Sequence, residues 1–203
     1  MPLLQRLYLV RHGETAWSLS GQHTGRTDIP LTAKGEVDAR KLAERLHGVR
    51  FTCVFTSPLQ RAQRTAALAA LNRVAEIEPD LAEWDYGDYE GLRTREIRER
   101  EPNWNLFRDR CPRGESPAEV ALRADLVIAR LRNLEGDIAI FSHGHFGRVL
   151  AARWIGLRIE HAQKFLLGTA SISILGYDHN LVEEPAIVLW NAADGKVSGQ
   201  PLK

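Results

Sequence analysis

Cysteine is scarce in this chain, neither sign of charge predominates, and no long apolar run occurs. Two cysteines in 203 residues, Cys53 within an apolar stretch and Cys111 beside Pro112, exclude a disulfide framework. The 27 basic and 26 acidic residues nearly cancel, so the overall charge calls for neither a nucleic-acid nor a membrane partner. No apolar run approaches the ~20 residues of a membrane span, and the first residues lack the basic and apolar regions of a signal peptide. Internal repeats, low-complexity segments and a dividing linker are absent too. The expectation is a soluble cytoplasmic protein folded as one domain over residues 1–203, with 44% hydrophobic residues to fill a large core. Nothing in the sequence assigns an oligomeric state.

What is present is a set of short apolar runs that end in reactive or cationic residues. Leu7-Tyr8-Leu9-Val10 runs into Arg11-His12-Gly13, Ile138-Ala139-Ile140-Phe141 into Ser142-His143-Gly144-His145, and Phe51 to Phe55 into Thr56-Ser57-Pro58-Leu59-Gln60-Arg61. These runs read as strands that alternate with helices, which predicts an α/β three-layer sandwich: a mostly parallel central sheet with helices on both faces. Helices are expected over 32–47 with Thr32 as N-cap, over 58–71 behind Ser57 and Pro58, and from the capping box Ser116-Pro117-Ala118-Glu119 onward. A further helix is expected over 146–155, a short strand over 74–78, and an antiparallel pair over 170–176 and 186–191. Residues 80 to 115 carry two of the five tryptophans and no sheet pattern, and they read as a small cap inserted over the sheet edge. The mixed charges from Arg93 to Glu101 suit a short solvated helix within it.

In open α/β sheets ligands bind beyond the carboxyl ends of the strands. Two histidines and two arginines at such an edge suggest an anion. Neutral imidazole can attack phosphorus, so His12 is the candidate nucleophile; Arg11 and Arg61 offer planar forks for phosphate oxygens, and His143 is a further donor if protonated. The leaving alkoxide needs a proton, and Glu83, next to Trp84, is the candidate acid, with desolvation by the aromatic expected to raise its pKa. Taken singly, Arg-His-Gly is a surface turn as readily as a site, Arg61 a solvated helix residue and Glu83 a surface acid. Their joint placement at one edge favours chemistry.

Arg11-His12-Gly13-Glu14-Thr15, Thr56-Ser57-Pro58-Leu59-Gln60-Arg61-Ala62, Glu83-Trp84-Asp85-Tyr86-Gly87 and Ser142-His143-Gly144-His145 are four motifs in the order of a known family. The chain resembles the histidine phosphatase superfamily, which includes cofactor-dependent phosphoglycerate mutases and many small phosphatases, from about residue 6 to about residue 177. The resemblance implies that His12 is the phosphorylated nucleophile, that Arg11, Arg61 and His143 form the phosphate pocket, and that Glu83 gives a proton and later takes one. Serine in Ala16-Trp17-Ser18, where mutase-like members carry asparagine, and the lack of the longer mutase insert point to a phosphatase. The stretch from Trp17 to Thr32, with Glu83 to Gly91 and Thr94 to Ile97, is most similar to the fungal sedoheptulose bisphosphatase branch. That likeness implies substrate contacts at Thr24, Gly25, Tyr86 and Thr94, and Ser18 and Gly144 complete the expected set. His23 stands where that branch has tyrosine.

The leading expectation is a metal-independent phosphatase, needing no cofactor, that acts on a small phosphorylated metabolite such as a sugar phosphate or bisphosphate. A phosphoglycerate mutase and a noncatalytic phosphate-binding module stay open beside it. A metallohydrolase is the weaker alternative, because His143 and His145 are the only closely spaced histidines and no acids with ligand-like spacing accompany them. A second phosphate, if there is one, is expected to meet Arg26, Arg93 or Arg95.

Overall fold

Each apolar run is a strand, and parallel pairing brings the ends of those strands to one edge. In the computed structural model, whose described residues are 5–71 and 75–195, the strands are β1 (Leu7–Arg11), β2 (Phe51–Thr56), β3 (Ala75–Ile77), β4 (Asp137–Ser142), β5 (Ile172–Tyr177) and β6 (Pro185–Ala192). They form one sheet in the order β3-β2-β4-β1-β5-β6. The first four strands of that order run parallel, β5 is antiparallel to β1, and β6 is antiparallel to β5. Alternate residues of a strand face opposite sides. Leu7 and Leu9 accordingly join one buried cluster, with Ile138 and Ile140, while Tyr8 and Val10 join another with Ala139 and Phe141.

Helices cover both faces, as the α/β sandwich requires. The helices α2 (Ala33–Arg45) and α3 (Gln60–Leu68) bury Leu42, Ala62 and Ala66 against the Tyr8 face. On the Leu7 face lie α5 (Pro117–Arg132) and α6 (Gly144–Trp154), through Val120, Ala124, Val149 and Leu150. The one-turn helix α1 (Ala16–Ser20) follows β1 and is set by a capping box between Thr15 and Ser18. No helix among the described residues is long and apolar enough to cross a membrane.

The cap expected over 80–115 contains no strand among the described residues. It consists of two 3-10 turns, Pro79–Leu81 and Gly87–Tyr89, and the helix α4 (Thr94–Arg100). Trp84, Tyr86, Trp104, Phe107 and Cys111 within it are buried in the same cluster as Leu7 and Leu9, so it is packed onto the sheet core.

Several boundaries differ from the sequence reading, each for a local reason. The helix after β2 begins at Gln60 rather than Pro58, and Leu59 is its cap residue. Ser57 Oγ accepts from Leu59 N at 3.3 Å and also lies 2.7 Å from His143 Nε2, while the helix itself opens two residues later than expected. The helix after β4 begins two residues earlier than expected, at Gly144. β5 starts at Ile172 instead of residue 170, since Ala170 has φ 52°, a left-handed conformation that no strand accepts. α2 stops at Arg45, short of residue 47, and residue 74 of the expected short strand lies outside the described residues.

Candidate active site

The sheet register builds the site. Arg11 pairs with Ser142 across β1 and β4, so the next residues, His12 and His143, leave the sheet side by side, their ring centroids 5.2 Å apart. The backbone continues the pairing: His12 N donates to Ser142 O at 3.0 Å, and Ser57 N at the end of β2 donates to Phe141 O at 2.9 Å. Gly13 must follow His12 because a Cβ there would lie 2.5 Å from Gly35 O, where the first turn of α2 abuts the loop.

Both imidazoles are held neutral. Burial lowers His12 well below the ordinary imidazole range, and the positive charges of Arg11 and Arg61 lower it further, against a smaller opposing pull from Gly13 O. Gly13 O lies 2.7 Å from His12 Nδ1 and takes its N–H, which leaves Nε2 with the lone pair of a nucleophile. Burial likewise lowers His143, helped by Arg61, His12 and Arg11. His143 is therefore a neutral ring, and any donation from it does not rest on protonation. Arg61 Nε donates to its Nδ1 at 3.2 Å, so the network assigns the ring proton to Nε2, still a donor.

The two arginines differ in what they offer. Arg61 is fully buried, and its Nη atoms donate to Thr24 O, Gly25 O and Thr27 O at 2.9–3.0 Å, so it also holds the 24–27 loop in place. Arg11 donates Nη1 to Leu167 O, while its buried Nε has no partner among the described residues. A buried cationic donor without an acceptor is a costly feature in a resting protein and suits an anion. Gly144 makes room for it, since a Cβ there would stand 3.1 Å from Arg11 Cζ.

Glu83 is anchored by backbone. Its Oε1 accepts from Trp84 N at 3.0 Å and Phe146 N at 2.8 Å, and its Oε2 accepts from His145 N at 3.0 Å. Two of these amides belong to the first turn of α6, whose positive dipole end faces the carboxyl. The Trp84 ring is buried edge-on to Phe107, with its indole N–H on Glu115 O, and backbone amides rather than an aromatic wall define the carboxyl's setting.

A family model of the histidine phosphatase superfamily, branch 1, matches residues 7–193. The chain belongs to that superfamily. It is 44% identical to an acid phosphatase of Mycobacterium tuberculosis, over 87% of this chain and 88% of that one. It is 37% identical to the sedoheptulose 1,7-bisphosphatase of Saccharomyces cerevisiae, over 92% and 93% of the two chains. A solved structure of an open reading frame from M. tuberculosis superposes with a TM-score of 0.86 at 41% identity, covering 93% of this chain and 97% of that one.

Within this histidine phosphatase fold, a cavity of about 260 Å3 brings together Arg11, His12, Ser18, Thr24, Glu83, Tyr86, Thr94 and Gly144 of the expected site residues. His143 and Arg61 sit behind His12 rather than on the cavity wall. Gly25 does not line this cavity: its N–H goes to Glu90 Oε1 at 2.7 Å, a Cβ would meet Trp84 O at 2.4 Å, and it lines a neighbouring pocket that Glu83 shares. A larger groove of about 550 Å3 beside α3 and β3 holds no histidine, and its charged residues Glu36 and Arg64 pair with each other at 2.8 Å.

His145 and Arg148 also line the cavity and were missed in the sequence. Their signal was helical phase, because Gly144 and Arg148 are four apart at the start of α6 and share a face. Of the arginines expected to meet a second phosphate, Arg26 pairs with Asp85 at 2.7 Å, and neither Arg93 nor Arg95 lines the cavity. Opposite the imidazole pair, His23, Tyr86 and His145 form an aromatic wall, with Tyr86 Oη 2.6 Å from His145 Nδ1. Burial holds His23 down to about 4 and pushes the Tyr86 phenol well up, so this wall is uncharged. Among the described residues, the one group of three side chains able to share a metal ion is Asp178, His179 and Glu184 in the exposed β5–β6 turn.

Proposed function

We propose that this chain is a cytoplasmic phosphomonoesterase that cleaves small phosphorylated metabolites, sugar phosphates or bisphosphates, through a phosphohistidine. The observation that carries the reading is the neutral His12, its Nδ1 proton engaged by Gly13 O, beside the unpartnered buried Nε of Arg11. The names of the acid phosphatase and sedoheptulose bisphosphatase relatives support the substrate class. Arg148, a second cation on the cavity wall, favours substrates with a second anionic group.

In the first step His12 Nε2 forms a bond to phosphorus and the bond from phosphorus to the ester oxygen breaks. Arg11 and Arg61 stabilise the charge on the transferring oxygens, His143 Nε2–H leaves Ser57 Oγ, on which it rests at 2.7 Å, to donate to one of them, and Glu83 delivers a proton to the departing alkoxide. In the second step Glu83 takes a proton from water, the water oxygen bonds to phosphorus, and the phosphorus–nitrogen bond breaks to release phosphate and restore neutral His12.

The test is phosphate release in chelator by wild type and His12→Ala, over a panel of sedoheptulose and fructose bisphosphates, phosphoglycerate and an aryl phosphate. Wild type is expected to hydrolyse at least one sugar phosphate, and His12→Ala to lose about a thousandfold or more of that rate. Full activity in His12→Ala, or phosphoglycerate exchange that outpaces all hydrolysis, would overturn the reading.

A further inference from the structure

Arg123, on the second turn of α5, has its guanidinium wholly engaged by the segment that carries Glu83. Its Nε and Nη2 grip Glu115 Oε1 and Oε2 at 3.0 and 2.9 Å. Its Nη1 donates to Asp80 O at 2.8 Å and Ala82 O at 2.7 Å, and Nη2 also reaches Glu83 O at 3.4 Å. A guanidinium has five N–H donors, and these five contacts use all of them. The side chain is only 14% exposed, so solvent competes little for these bonds.

Glu115 closes the arrangement from the far end of the cap. Its Oε2 accepts from Asp85 N at 2.9 Å, its backbone N donates to Asp85 O at 2.9 Å, and its carbonyl takes the Trp84 indole N–H at 3.0 Å. Ser142 Oγ holds the remaining carbonyl, Leu81 O, at 2.8 Å. Backbone carbonyls from residue 80 to residue 83 are thus all fixed, as are both backbone polar groups of Asp85. The guanidinium carbon also lies 4.5 Å from the centre of the Phe146 ring, and Phe146 N is one of the amides that bond Glu83 Oε1. One cation therefore touches both the backbone that bears the Glu83 carboxyl and the residue whose amide receives it.

From this convergence we infer that Arg123, acting with Glu115, is the positioning residue for Glu83: it fixes the direction from which the carboxyl meets the leaving-group oxygen. The inference rests on the reading of Glu83 as proton donor given above. Lysine cannot substitute, because an ammonium presents three donors from one point and cannot span three carbonyls and a carboxylate. A displacement of about 1 Å in a catalytic group lowers a rate by about a hundredfold without emptying the binding site.

The test exploits the leaving group, since a proton donor matters for an alkoxide and hardly at all for dinitrophenolate. kcat/KM, which reports transfer to His12, is measured for a sugar phosphate and for dinitrophenyl phosphate with wild type, Glu83→Gln, Arg123→Lys and Glu115→Gln. Glu83→Gln is expected to lose far more on the sugar phosphate than on the aryl ester. Arg123→Lys and Glu115→Gln are expected to show the same asymmetry, about tenfold or more between the two substrates, the signature of a misplaced acid. Glu115→Gln keeps the side-chain volume and carries the test if Arg123→Lys does not fold. Equal losses on both substrates, or none, in the clamp variants while Glu83→Gln remains asymmetric overturn the inference alone. An even loss in Glu83→Gln instead overturns the assignment of Glu83 as acid, and the inference with it.

Discussion

His12 owes its state to its neighbours: burial, two arginines and a carbonyl on Nδ1 keep the Nε2 lone pair free. The acid limb of kcat/KM is accordingly expected below the 6.5 of an ordinary imidazole, and a limb at or above that value in a pH-rate profile would contradict the assignment. Gly144 is where crowding meets charge. Gly144→Ala puts a Cβ 3.1 Å from Arg11 Cζ, and inhibition by inorganic phosphate is expected to weaken by about tenfold, or ~1.4 kcal/mol, with thermal stability nearly kept. Residues that terminate strands, Arg11, His12 and His143, were legible in the sequence because an apolar run ending in a charged or polar group is a local pattern. Arg148 and Arg123 went unrecognised, since their roles depend on how the cap folds back on α5 and α6.

At the scale of elements, capping decides the boundaries. The Ser116–Glu119 box is formed as the sequence predicts, with Glu119 Oε2 accepting from Ser116 N at 2.8 Å and Ser116 Oγ from Glu119 N at 3.3 Å. Ser116→Ala is expected to destabilise the protein by about 1 kcal/mol, a fall of about 2–4 °C in melting temperature by calorimetry. The same residue type at Ser57 misled about the boundary, because its hydroxyl serves both Leu59 N and His143 and α3 opens at Gln60, whose amide goes to Asp28 Oδ1 at 2.8 Å. The mostly parallel sheet followed from the alternation of strands and helices and the antiparallel β5–β6 pair from their short connection, whereas the strand order shows only in the fold and the cap had no period to read. Its tryptophans and tyrosines show only in three dimensions that it belongs to the core.

For the whole molecule, three buried imidazoles and the half-buried His145 share one consequence. His12, His23, His143 and His145 are all lowered, chiefly by burial, with His23 at about 4. The unfolded chain binds protons on these rings as pH falls through about 6.5 while the folded chain refuses them, so acid favours unfolding by up to about 1.4 kcal/mol per pH unit for each ring. His179, exposed and raised by Glu184, acts weakly in the opposite direction. Unfolding free energy from urea titrations is expected to decline from about pH 7 to about pH 5, and less steeply in His23→Asn; a flat profile would refute the neutral cluster. The central claim, a covalent phosphohistidine, is tested most directly by mixing the enzyme with a radiolabelled sugar phosphate, quenching in alkali within the first turnovers and mapping the label. The account predicts label on His12 that vanishes in His12→Ala together with turnover; turnover without label on His12 would contradict it.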